Sequence, residues 1–147
     1  MARISFVVAI YFLLLSTLAG CQDSVAQFPM HQPTDNISKI ELLENVAPIG
    51  EPIEFSVVFE IPKESYDEFI DLLLSMECSK AFGDRPTEFG VLAIRITYTN
   101  GDIEMIGHAN NAYFTANRDY YGAYYFYYED FKELFSHYVD KSLLPDI

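Results

Sequence analysis

Two apolar runs separated by Asn100-Gly101 constrain the fold of this chain more than any other feature. Residues 91–98 are β-branched and aromatic, and residues 103–106 resume the apolar pattern after the break. Asn and Gly both tolerate positive φ, which a two-residue type I′ turn needs at its central positions, so the segment predicts a tight β-hairpin. Asn110-Asn111 and Asn117-Arg118-Asp119 are further turn candidates. With them, residues 91–126 are expected to form an antiparallel meander.

The segments around the meander follow two different periods. Residues 37–43 predict a strand with Ile40 and Leu42 on one face. After the turn-prone Pro48-Ile49-Gly50-Glu51-Pro52, residues 53–60 alternate Phe55, Val57 and Phe59 with Glu54, Ser56 and Val58, as a half-buried strand does. Residues 62–78 then predict an amphipathic helix. Pro62 suits its first turn, Glu64, Asp67 and Glu68 favour its N-terminal dipole, and Phe69, Ile70, Leu73 and Leu74 fall on one face. Gly83-Asp84 and Arg85-Pro86 mark residues 81–88 as a loop. Phe131, Leu134, Phe135 and Tyr138 give a closing helix, with Lys132, Glu133 and Ser136 expected to face water. Helices that bracket antiparallel strands imply a two-layer α+β fold: a strand pair plus a meander in the sheet, packed with two helices.

The N-terminus carries a different kind of signal. Arg3 precedes an apolar run over residues 4–15, and small residues then lead to Leu18-Ala19-Gly20-Cys21. The run is too short to span a bilayer comfortably and has the form of a secretory signal. The last four residues resemble the lipobox of bacterial lipoproteins. That resemblance implies removal of residues 1–20 and lipidation of Cys21, with palmitate-type acyl chains holding the protein on the extracytoplasmic face of a membrane. Gln22 rather than Asp follows the cysteine. The lipoprotein sorting pattern then implies the outer membrane in a two-membrane cell, and the outer face of the cell membrane in a one-membrane cell. Residues 21–36, with Pro29 and Pro33 and no apolar period, are expected to be a flexible tether, and residues 37–147 a single globular domain.

Charge narrows the partners. Without residues 1–20 the chain has 8 Lys and Arg against 22 Asp and Glu, a formal charge of −14. Such a surface repels nucleic acid and anionic headgroups, so membrane attachment is expected from the lipid and not from a basic patch. Cys78, with Cys21 lipidated, has no partner for a disulfide and is expected to be a small buried hydrophobe.

Residues that could carry a function are sparse. Tyr113, Tyr120, Tyr121, Tyr124, Tyr125, Tyr127 and Tyr128 cluster in sequence, and strand alternation must send some of these rings outward. Tyr120, Tyr121, Tyr125 and Tyr127 are the candidate binding residues, with Tyr125 and Tyr127 the expected outward pair. His31, His108 and His137 lack the short structured spacing of a zinc site, and the i, i+4 like-charge pairs Asp67/Asp71 and Glu64/Glu68 belong to no calcium loop. No metal, cofactor or catalytic residue is assigned. The expected function is a membrane-anchored, non-enzymatic domain that binds a protein or another envelope component. The alternatives are a small envelope hydrolase using His108 with a carboxylate, and a purely structural envelope lipoprotein.

Overall fold

The computed structural model describes residues 24–26, 28–48, 51–80, 90–107, 111–114 and 124–145. Eight strands and two α-helices follow one another along them: β1 (Ser24–Ala26), β2 (Ile37–Asn45), β3 (Phe55–Glu60), α1 (Tyr66–Ser75), β4 (Cys78–Lys80), β5 (Leu92–Tyr98), β6 (Ile103–Gly107), β7 (Asn111–Phe114), β8 (Tyr124–Phe126) and α2 (Tyr128–Ser136). The larger sheet has the order β3-β2-β5-β6-β7, and a smaller one has the order β1-β4-β8. Every pairing is antiparallel, and the architecture is α+β.

The main core lies between one face of the large sheet and the two helices. Ile40 and Leu42 on β2 meet Ile94, Ile96 and Tyr98 on β5 and Ile106 on β6. From the helices come Phe69, Ile70 and Leu73 of α1 and Phe131, Leu134 and Phe135 of α2, all on the faces their spacing predicts. The opposite face holds a smaller cluster of Leu43, Ala93 and Met105, with Phe55 and Ile103 packed against it.

The β2–β3 pairing contains an irregularity between Leu42 and Leu43, where Val58 has no partner of its own. This extra residue resets the alternation of β3. Phe59 pairs with Leu42 and joins the main core, while Val57 pairs with Leu43 on the other face. The stripe Phe55, Val57 and Phe59 expected from period two is therefore split between two faces. A second irregularity, between Ile37 and Lys39, does the same on β2, turning Ile37 inward and Lys39 outward.

Four further expectations are corrected. The hairpin turn is not type I′: Gly101 N–H donates to the Tyr98 carbonyl and Tyr98 N–H to the Asp102 carbonyl, which makes a three-residue loop closed by Gly101 at φ +87°. The meander ends earlier than expected, because β8 pairs with β4 in the smaller sheet. Lys132 does not face water; it is buried, with its ammonium 5.8 Å from the centre of the Tyr128 ring one helical turn back.

The last correction concerns the expected tether. Ser24–Ala26 pairs with β4, and Phe28 is 2% exposed, its ring centre 5.5 Å from that of Phe126. Gln32 donates to Asp102, and the Asn36 carbonyl accepts from Thr99 N–H. An aromatic side chain in the core and a strand in a sheet tie this segment to the domain. Pro29 and Pro33, which suggested a tether, occupy exposed positions after Phe28.

Candidate functional site

An open groove of about 430 Å³ runs between the end of α1 and the outer side of α2. Two helices that converge on one core leave such a trough where their facing side chains diverge toward solvent. Leu72, Met76 and Leu134 give it apolar walls, with Leu134 buried and the other two partly so. Glu77, Asp130, Glu133 and His137 line it with exposed polar groups, and Ser75 adds a hydroxyl. Asp130 and Glu133 stand one turn apart on α2, and His137 is the C-cap of that helix, its backbone N–H on the Leu134 and Phe135 carbonyls. The groove is large enough for one or two side chains of a partner, and its carboxylates favour cationic groups.

Two buried carboxylates elsewhere, Glu41 and Glu104, are committed to partners within the sheet and its edge. On the outer face of the large sheet, Glu41 is 4% exposed and accepts from Arg95 Nε at 2.6 Å and from Lys39 Nζ at 2.7 Å. Lys39 also reaches Glu60 at 3.1 Å, which links three strands in one ladder. The Arg95 hydrogen bond, with help from Lys39, holds the Glu41 carboxyl below the usual range despite its burial. The same contacts raise Lys39 and Arg95. On the inner face, the fully buried Glu104 accepts from the Tyr98 hydroxyl and from His31 N–H. Glu104 is thus a buried carboxylate whose Oε2 binds structural donors; His108, the other residue named for a hydrolase, lies outside the described residues.

The remaining candidates divide between described and undescribed parts of the chain. Cys21, Tyr120 and Tyr121 lie outside the described residues. Tyr125 is on β8 opposite Ser79. Tyr127 follows at the N-cap of α2 and is 66% exposed, while its neighbours Phe126 and Tyr128 turn inward. Tyr128 donates its hydroxyl to the Pro145 carbonyl. Cys78 is 1% exposed, and burial pushes its thiol up, away from the reactive thiolate. The carboxylates of Glu64, Asp67, Glu68 and Asp71 all lie in water. Among the described residues no three His, Cys, Asp or Glu side chains converge as a metal ion would require.

The groove was not evident from sequence. Asp130 and Glu133 satisfy a helix dipole and a solvated face equally well, and nothing local pairs them with Glu77, in the connection after α1. Only the packing of α1 beside α2 brings those residues together. Comparison with protein-family models, with curated proteins and with solved structures finds no match to this chain.

Proposed function

We propose that this protein is a lipid-anchored extracytoplasmic lipoprotein whose domain is a non-enzymatic binding module for a protein or envelope component. The observation that carries the anchoring is the sequence Leu18-Ala19-Gly20-Cys21 at the end of an apolar run of signal length. Two features support a binding role. One is the open groove between α1 and α2, with apolar walls and three carboxylates. The other is Tyr127, whose ring combines apolar area with a polar tip in an exposed position next to β8. Among the described residues no helix is long and apolar enough to cross a membrane.

Intact-mass measurement of the membrane-extracted protein tests the anchor. The expected species begins at Cys21 and carries two or three acyl chains, enough for firm attachment where a single chain is not. A mature form that retains residues 1–20, or a Cys21→Ala variant still held in the membrane, would overturn the reading.

A further inference from the structure

The pairing of Ser24–Ala26 with β4 changes what an anchor at Cys21 would do. β1 begins at Ser24, so three residue steps separate the cysteine from the sheet. Fully extended, they reach about 10 Å. A sixteen-residue tether would have let the domain tumble well clear of the headgroups, and this link cannot.

The register shows which part of the domain is held there. Ser24 pairs with Lys80, and Lys80 pairs with Tyr124, so these three stand side by side at one end of the small sheet. The other end is the rank Ala26, Cys78 and Phe126. Cys78 and Phe126 are buried there, and the chain enters the core at Phe28 two residues beyond Ala26. The sheet thus runs from the anchor side into the core.

We infer that the Ser24–Lys80–Tyr124 end of the small sheet is a lipid-facing surface, held at headgroup level by the short link from Cys21. This rests on the proposed lipidation of Cys21. The domain then has a fixed orientation, with this end toward the membrane. The strong net negative charge opposes close approach to anionic lipid, so zwitterionic headgroups are the surface it fits.

The experiment uses the lipidated protein in phosphatidylcholine nanodiscs doped with a gadolinium-chelating lipid, and reads the loss of each backbone amide NMR signal. The greatest loss is expected at residues 24, 80 and 124, falling along each strand toward 26, 78 and 126. A variant with fifteen Gly and Ser residues inserted between Asp23 and Ser24 keeps the folded sequence intact and should lose that gradient. Signal loss that does not rise toward the 24/80/124 rank, in protein whose mass shows the lipid, would overturn the inference while leaving the anchor standing. A gradient that survives the insertion would overturn the short link as its cause. If the mass shows no lipid on Cys21, the lipoprotein reading itself fails.

Discussion

Ile40 and Glu41 are neighbours on β2, yet they belong to opposite faces of the large sheet with opposite chemistries. On the inner face, Ile40 joins a continuous core of aliphatic and aromatic side chains shared with both helices and the small sheet. On the outer face, Glu41 sits in an ion ladder with Lys39, Arg95 and Glu60, beside the small cluster of Leu43, Ala93 and Met105. The inner face gains from non-directional burial, which grows with apolar area. The ladder depends on geometry, because a buried carboxylate is tolerated only while its oxygens are paired. The two faces should therefore respond differently to mutation and to acid.

The largest effect is expected on the inner face. Phe135 is fully buried on α2, with its ring centre 5.4 Å from that of Phe131. Phe135→Ala should cost about 3–5 kcal/mol, through lost transfer energy and the cavity left behind. Chemical denaturation gives the value. A loss below about 0.5 kcal/mol, the range of exposed sites, would mean that α2 does not pack on the sheet through this face.

The ion ladder of the outer face should be weaker and sensitive to pH. Glu41→Gln keeps the shape but removes the charge that Arg95 and Lys39 engage. It should cost about 1.5–3 kcal/mol at neutral pH, the range for hydrogen bonds to charged groups. The sign of the pH effect follows from the lowered folded pKa of Glu41. Its contribution is complete above the unfolded carboxyl value of about 4.3 and is lost as pH falls through the lower folded value. Thermal melts of wild type and variant should therefore converge as pH drops below about 4. A gap that stays constant down to strong acid would show that the ladder adds nothing through charge.

How much of this contrast could be read from sequence depends on the range of the interaction. Both helices and their apolar faces were legible, because Phe69, Ile70 and Leu73, and Phe131, Leu134 and Phe135, repeat at the helical period within a single segment, whereas the burial of Lys132 was not. The division of β2 and β3 between faces was not. Their irregularities at Ser38 and Val58 arise from pairing between strands, and alternation in one strand carries no record of them. The pairing of Glu41 was hidden for the same reason: its partner Arg95 is 54 residues away. The groove depends on contacts between elements equally distant in sequence, and so was also hidden.

Gly101 sets the register of the β5–β6 hairpin, and with it the face each residue joins. At φ +87° a β-branched side chain is strained, although a Cβ there would meet nothing within 4 Å. Gly101→Val should thus act through backbone strain alone, costing about 1–3 kcal/mol. Thermal denaturation checks this. An unchanged midpoint would mean that the loop adopts another turn in solution.

The smallest effect should mark the edge of the outer cluster. Leu43 and Val57 are direct partners across β2 and β3, yet Leu43 is fully buried and Val57 is 46% exposed on the edge strand. A pair of alanine variants separates burial from mere position in the sheet. Leu43→Ala should cost about 2–4 kcal/mol, because its side chain is enclosed by neighbours that cannot fully collapse around the loss. Val57→Ala should cost about 0.5 kcal/mol, since much of what it loses is already in water. Urea denaturation of the two variants gives the ratio. Equal losses would show that the outer cluster extends across β3 to the sheet edge, and that the outer face is a second core of the same kind as the first.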